Sequence, residues 1–469
     1  MHQVKIHFLG ANRQVTGSRY CLETEDSKIL IDCGMFQERE FLSRNWEPNP
    51  IPPDDLDALL LTHAHLDHCG LIPKLVADGF DGPIYCTRPT VPLAEVIMRD
   101  SARIQEEDAA YKRKRHKKEG REGKHPVRPL YTDVDVAQTL PLLEGVPYDT
   151  VWQVTDSVSV VFREAGHILG SAMLQLLVTE RERAYQILFS GDIGQWNKPL
   201  IRDPSLFESA DYVVMESTYG DRAHQRHGDV ETQLCDVINQ TVERGGNVII
   251  PTFAVERAQE VTYFISRLVH ADKIPDLKIF LDSPMAVDVT DIFRQYRECF
   301  DQETWELIVS KQPPLRFPGL HMSRTSAQSK AINNEKEPCI IMASSGMCTA
   351  GRVKHHLRKN IHRPESTIVF VGYQAHGTLG RLIRDGKPNV RLHGRNYDVK
   401  AQIAQIYGFS GHADRDALLH WVGNLGDSPK HVFLAHGEED AAESLAEAIT
   451  EQNGCRVSVP AYQEVIELV

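Results

Sequence analysis

The sequence predicts an α/β protein of two or three domains, one of them interrupted in sequence by another. Length is the first reason, because 469 residues exceed what a single hydrophobic core commonly organises. Composition is the second. With 41% hydrophobic and 25% charged residues the chain is ordinary globular material, which excludes a disordered or collagen-like polymer. The third is a change of pattern along the chain. From about residue 245, short apolar runs alternate with helical stretches, which is how a parallel sheet covered on both faces is written.

The elements follow in order. Residues 4–9, 19–24 and 28–32 read as short strands separated by Gly10, Gly17 and the Asp26–Ser27 pair, an antiparallel meander. The apolar run 58–62 (ALLLT) is a strand, followed by a His/Asp-rich turn and a helix over 71–77 with Pro73 in its first turn. Residues 93–118 form one helix that becomes basic, and Gly120, Gly123 and Pro126 end it. In the middle block, NVIIP (247–251) precedes a helix at 256–270 and KIFLD (278–282) one at 286–297. CIIMA (339–343) likewise precedes 351–360, and TIVFV (367–371) precedes 378–384. Two more strand-to-helix units, IYGFSGHADRDALLHWV and HVFLAHGEEDAAESLAEAI, close the chain. The block from roughly 220 to 395 is therefore read as an insertion into a discontinuous domain.

Charge and cysteines bound the class. Lys+Arg 52 against Asp+Glu 65 gives −13, which excludes a globally basic nucleic-acid coat but not a local basic groove. One such feature exists. Segment 112–128 holds nine Lys/Arg with two Glu and two His, and is read either as a ride for the phosphates of a single strand or as a solvated surface helix-loop. No apolar stretch approaches the roughly 18 residues that span a bilayer, and the start MHQVKIHFLG lacks a signal pattern. The nine cysteines are scattered without a CxxC pair, so they are expected to be reduced thiols in a cytoplasmic protein.

The chemistry is concentrated in His63-Ala-His65-Leu-Asp67-His68, four ligand-type side chains in six residues. In extended backbone, residues 63 and 65 point the same way, so two imidazoles meet one cation. Asp67 and His68 follow the turn and are placed for a second cation. Imidazole nitrogen and carboxylate oxygen suit Zn²⁺, with Mn²⁺ or Fe²⁺ as alternatives. One local pattern then recurs: an apolar strand, a ligand-type residue, a Gly turn. It places His167 in VVFREAGHILG, Asp192 in QILFSGDIG, Glu216 in YVVMESTYG, His412 in IYGFSGHAD and His436 in HVFLAHGEE. Strand ends beside Gly-rich loops are where α/β folds carry reactive groups.

These residues carry a family resemblance. Asp32 after a strand, HAHLDH, His167 and Asp192 resemble the signature of the metallo-β-lactamase fold. Glu216 in ESTYG, His412 in SGHAD and His436 in AHGE resemble the additions of the β-CASP nucleases, the group that includes the nuclease subunit of the eukaryotic mRNA 3′-end cleavage machinery. The resemblance covers nearly the whole chain. It implies a four-layer αβ/βα sandwich interrupted by a β-CASP domain containing a parallel sheet flanked by helices. The parts are expected at 1–215, 216–395 and 396–469, without KH modules or a ribonuclease J-type C-terminal domain. It further implies two zinc ions, one on His63, His65, His167 and Asp192, the other on Asp67, His68, His436 and Asp192, with Asp192 bridging. Asp32 is expected to hold a ligand rather than be one.

The expected activity is a zinc-dependent ribonuclease acting on single-stranded RNA in the cleft between the domains. Asp67 orients the attacking hydroxide, His412 is the general acid and Glu216 holds its other N–H. RNA is favoured because RNA-directed β-CASP proteins carry His at the position of His436, where the DNA-directed repair branch has an apolar residue. Ser345, Arg352, His376 and Ser410 are expected near the substrate, with Ser345 and Ser410 alternatively plain caps. Internal cutting is favoured over 5′–3′ trimming, and a homodimer is compatible with the sequence. The competing readings are a lactone or thioester hydrolase of the same fold and a non-catalytic RNA-binding scaffold.

Overall fold

The computed structural model describes residues 3–120, 127–181, 183–224, 228–425 and 429–469. The chain forms two compact units. The first comprises Met1–Trp196, Asp203–Ala223 and His412–Val469, and the second Asn197–Arg202 and His224–Gly411.

The first unit contains two seven-stranded sheets. One runs in the order Glu464–Glu467, Lys5–Gly10, Arg19–Glu23, Lys28–Ile31, Ala58–Leu60, Ile84–Thr87, Leu143–Val146. Its first three sequence strands are antiparallel, as the meander predicted, and from Lys28–Ile31 onward the pairing is parallel. The other runs Arg456–Ser458, His431–Ala435, Tyr212–Glu216, Arg183–Phe189, Ala172–Glu180, Val158–Glu164, Val151–Gln153. Alternation along each strand decides the layers. Ile187, Phe189, Val214 and Phe433 share a core with Ile6, Phe8, Leu22 and Ile31 of the other sheet. Their neighbours Leu188, Val213, Met215 and Leu434 turn the opposite way and are covered by Leu418 and Trp421 of helix Arg415–Gly423 and Leu445 and Ile449 of helix Glu439–Asn453. Helix Thr90–Glu119 packs against strands Ile84–Thr87 and Leu143–Val146 of the first sheet. This is the αβ/βα sandwich. Each buried Leu, Ile or Phe contributes about 1.5–3 kcal/mol, and a one-residue slip would exchange every pair of faces, so register is strongly specified.

One pairing matters most for function. Tyr212–Glu216 lies parallel to His431–Ala435, with Glu216 opposite Ala435, although the second unit separates them in sequence. The sheet closes over the insertion and brings Glu216 beside the residue preceding His436.

The second unit holds a six-stranded sheet in the order Leu320–Met322, Lys278–Leu281, Cys339–Ala343, Val248–Pro251, Thr367–Phe370, Gln402–Gln405, with every pair parallel. Both faces are buried. Val248 and Ile250 pack with Leu234, Ile238, Val261 and Ile265, and Ile249 packs on the other side with Val353, Leu357 and Ile383. The sequence reading divides the chain at 215/216 and 395/396, whereas the contacts divide it at 223/224 and 411/412. The reason is Gln402–Gln405, which hydrogen-bonds as an edge strand to Thr367–Phe370. Asn197–Arg202 also joins the second unit, through the Ile201–Phe300 bridge, the Leu200 amide donating to Thr304 Oγ1 at 3.2 Å and the Lys198–Glu260 ion pair at 2.5 Å.

The basic helix spans Thr90–Glu119 and ends on Gly120 with φ 62°. Lys112, Arg113, Lys114, Arg115, Lys117 and Lys118 are exposed, while residues 121–126 of the basic run lie outside the described residues. None of the nine cysteines, all among the described residues, forms a disulfide. Among the described residues no helix is long and apolar enough to cross a membrane.

Candidate metal centre

Five strand ends of the first unit deliver the site. The predicted strand 58–62 stops at Leu60, so Leu61 and Thr62 carry the chain out of the sheet before His63. His65 is then extended (φ −70°, ψ 150°) as the cap of the short helix Leu66–Cys69, which presents Asp67 and His68. His167, Asp192, Glu216 and His436 follow the ends of Val158–Glu164, Arg183–Phe189, Tyr212–Glu216 and His431–Ala435. The glycine turns have a steric role. A Cβ on Gly194 would lie 1.7 Å from the Gly166 carbonyl oxygen, so only glycine lets the Asp192 loop press against the His167 loop.

The donors converge in two groups. His63 Nε2 and His167 Nε2 each lie 3.1 Å from His65 Nδ1, and 3.3 and 3.4 Å from Asp192 Oδ2. His68 Nε2 and His436 Nε2 are 3.1 Å apart, and lie 3.2 and 3.5 Å from Asp192 Oδ1. Asp67 Oδ2 is 3.5 Å from His436 Nε2. The two oxygens of Asp192 thus face different groups, the geometry of a bridge. Except for Asp67 and the part-exposed His65, these side chains are almost wholly buried.

Hydrogen bonding fixes which ring nitrogens are bare. His68 Nδ1 meets Asp32 Oδ2 at 2.7 Å, so its proton sits there. Thr62 Oγ1 donates to Asp32 Oδ2 at 2.9 Å and accepts from His63 Nδ1 at 3.0 Å. Thr218 Oγ1 donates to the His436 carbonyl at 2.9 Å and accepts from His436 Nδ1 at 3.2 Å. Three imidazoles therefore aim Nε2 lone pairs at one another and at carboxylates inside a buried volume, which is repulsive unless cations lie between them. The donor set, imidazole nitrogen and carboxylate oxygen, fits divalent metal ions. Asp32 accepts from His68 Nδ1 and from Thr62. Thr62 and Thr218 were missed in the sequence, and only the adjacency of Thr62 to HAHLDH hinted at either.

Electrostatics agree. Burial pushes His63 down to about 4 and His65 to about 3, and with the neighbouring His412 charge it holds His167 well below its usual range. All three are thus neutral, as ligands must be. For His68 and His436 burial works the same way but is outweighed by Asp192, joined by Asp32 for the first and Asp67 for the second, so both are raised. Burial alone would raise Asp67 and Asp192, yet the surrounding imidazoles hold both carboxyls below their usual range.

A third group adjoins these. His412 Nδ1 lies 3.0 Å from Glu216 Oε2. Glu216 is buried and fixed, its Oε1 accepting from the Ile193 amide at 2.5 Å and its own amide donating to Ser190 Oγ at 3.0 Å. The His412 ring stands 4.6 Å from that of His167, centre to centre, and its side chain is 22% exposed. Burial opposes its protonation, but Glu216 and Asp192 overcome this and raise it to about 9.

The four residues expected near substrate all lie in the second unit. Ser345 Oγ accepts from the amides of Thr349 and Ala350 at 3.1 and 3.3 Å, which is a turn cap. Arg352 donates to the buried Asp282 at 2.8 Å and to the carbonyls of Ser323 and Arg324, so its guanidinium ties strand ends together. His376 is exposed and Ser410 half-buried.

Comparison with known proteins bears on this constellation. Family models match in three segments: the metallo-β-lactamase superfamily over 14–234, the Beta-Casp domain over 258–383, and the Zn-dependent metallo-hydrolase RNA specificity domain over 396–460. The chain is 37% identical over 455 residues to Ribonuclease TTHA0252 of Thermus thermophilus, covering 97% of this chain and 98% of that one. It belongs to the β-CASP family of metallo-β-lactamase-fold proteins. Transcription termination factor FttA of Methanocaldococcus jannaschii is 33% identical over 460 residues, 95% of this chain and 69% of that protein. A solved structure of a protein of unknown function from Enterococcus faecalis shares the fold at TM-score 0.57 and 13% identity, over 99% of this chain and 100% of that one. Membership of this Zn-dependent metallo-hydrolase group supports a metal cofactor, for which the His/Asp clusters offer converging donors.

Proposed function

We propose that this β-CASP protein is a metal-dependent ribonuclease that hydrolyses phosphodiester bonds of single-stranded RNA at a dinuclear zinc centre. The carrying observation is the convergence of His63, His65, His167, Asp67, His68 and His436 around the two oxygens of Asp192, with the His412–Glu216 pair alongside. RNA as substrate is supported by the RNA specificity domain matched over 396–460 and by the relative named a ribonuclease.

Two divalent ions, held by His63, His65, His167, Asp67, His68, His436 and Asp192, would neutralise the scissile phosphodiester and acidify the attacking water. The chain's own residues do the rest. Asp67, 17% exposed, accepts a hydrogen bond from that water and aligns it. His412, protonated at neutral pH and held through Nδ1 by Glu216, delivers its Nε2 proton to the departing oxygen. Glu216 is a positioning residue, since the Ile193 amide and Ser190 pin it. Thr62, Asp32 and Thr218 keep the ligand tautomers correct.

The test is an end-labelled single-stranded RNA assay with and without chelator, beside elemental analysis and a matched DNA strand. Chelator-sensitive cleavage of RNA with two zinc per chain is expected, with internal products rather than mononucleotides released from the 5′ end. Turnover of a thioester or lactone panel with none of RNA overturns the reading.

A further inference from the structure

The second unit contains an open cavity of about 510 Å³ between the ends of helices Arg257–His270 and Pro284–Gln295, the helix Gln302–Val309 and the loop that follows it. Its charged lining is all of one sign, Arg294, Arg297, Lys311 and Arg316, with the His270 imidazole beside them and no acidic residue. In a chain of net charge −13 this is an unusual concentration. The negative ends of two helices account for His270 and Arg294, but not for Arg297 or Arg316.

The basic groups are largely uncompensated. Arg294 donates to Asp291 Oδ1 at 2.8 Å and to the Leu315 carbonyl, and its Nε–H is buried without an acceptor among the described residues. Arg297 Nε donates to the Arg294 carbonyl at 3.2 Å, and its guanidinium makes no ion pair among the described residues. Lys311 and Arg316 are exposed and make no ion pair among the described residues. His270 is oriented by its Nδ1–H donating to the Ser266 carbonyl at 2.8 Å. The rest of the wall is apolar, formed by Phe300, Ile308, Leu315 and three prolines of the 313–318 loop.

Like charges gathered on one concavity repel, and an anion relieves them. Arginine forks match phosphate oxygens, while a wall of aromatic, aliphatic and proline surface fits a flat heterocycle rather than a bare inorganic ion. The volume is that of a small-molecule site. We propose that this cavity binds a nucleoside phosphate, with Arg297, Lys311 and Arg316 on the phosphate and the base against Phe300 and Leu315. The ligand is either a free nucleotide or one nucleotide of an RNA strand, and the second source rests on the ribonuclease reading above.

The test is fluorescence anisotropy of mant-ADP with the intact, metal-loaded protein. Unlabelled ADP, inorganic phosphate and a short 2′-O-methyl RNA strand serve as competitors. Arg297→Glu with Arg316→Glu is the matching variant. Both positions are exposed, so the fold should persist, which a thermal melt checks. Saturable binding weakened at least about tenfold in the variant is expected, with phosphate competing about tenfold less well than ADP. Displacement by ADP but not by the strand assigns the free nucleotide, displacement by both assigns a nucleotide of RNA, and failure of ADP to displace the probe overturns the proposal. Absence of saturable binding, equal binding by the variant, or phosphate competing as well as ADP overturns the proposal. End-labelled RNA cleavage is measured on the same samples. Cleavage without cavity binding sinks only the cavity, and cavity binding without cleavage by the wild type sinks only the ribonuclease.

Discussion

Asp32→Asn tests whether the ligand tautomers are set by hydrogen bonds outside the metal shell. Asp32 is 1% exposed and accepts from His68 Nδ1 at 2.7 Å, the Thr62 amide at 2.8 Å and Thr62 Oγ1 at 2.9 Å. Asparagine keeps the volume. Its oxygen can still serve the Thr62 amide, which leaves the NH₂ facing His68 Nδ1. Two donors cannot meet, so His68 must carry its proton on Nε2, the atom that faces His436 Nε2 and Asp192 Oδ1. Metal binding at the Asp67/His68/His436 group then requires that proton to be removed or the amide to turn away. Loss of such a partner costs about 10–100-fold in metal affinity, or about 1.4–2.8 kcal/mol. The metal-free protein should lose about 1–2 kcal/mol, the difference between charged and neutral hydrogen bonds. Competition against a chromogenic chelator, with a urea melt in parallel, reads both. The expected pattern is one tight site retained and one weakened. Affinity at both sites within twofold of wild type would refute the tautomer argument.

Other consequences are as direct. His412→Ala should retain both metals by elemental analysis yet lose about 10²–10⁴-fold in turnover on RNA, since it removes a proton donor and no ligand; loss of metal instead would mean the residue is misassigned. Neutralising Lys112, Arg113, Lys114 and Arg115, all exposed on the basic helix end, should lower RNA affinity and reduce the log–log salt slope by about 0.7 for each phosphate contact removed; an unchanged slope makes the run plain surface. In the second unit Asp282 is buried, which alone would raise its carboxyl, but His356, Ser329 and Arg352 hold it below the usual 3.8. A depressed carboxyl contributes stability above 3.8 that is lost as pH falls through its folded value. Asp282→Asn should therefore be less stable than wild type at pH 7 in thermal melts, and the gap should narrow below pH 3.8.

Much of the site was readable because its chemistry is local. HAHLDH places four donors in six residues, and His167, Asp192 and His436 follow an apolar strand at a Gly turn and Glu216 ends one, signals that survive without knowing the partners; the strand expected in IYGFS before His412 is not formed, the strand there being Gln402–Gln405. Helix boundaries were close for the same reason: the expected 93–118 is Thr90–Glu119, and 256–270 is Arg257–His270. The seam of the inserted unit was harder to read. Gln402–Gln405 belongs with the six-stranded sheet through backbone pairing to Thr367–Phe370, and main-chain hydrogen bonds leave no mark in side-chain identity. Arg352 illustrates the same difficulty. The resemblance put it near the substrate, and only the folded chain shows the carboxylate of Asp282 within 2.8 Å of it.

The order of residues thus pointed to the candidate ligand groups and the local turns that hold them, because strand periodicity and glycine punctuation act over a few residues. It did not settle that His436 Nε2 comes to 3.1 Å from His68 Nε2 across 368 positions. That meeting depends on Tyr212–Glu216 finding His431–Ala435 in parallel register and on the first sheet closing with Glu464–Glu467 against Lys5–Gly10. Such long-range pairings are selected by burial of whole faces at once, a property of the assembled sandwich and not of any segment within it.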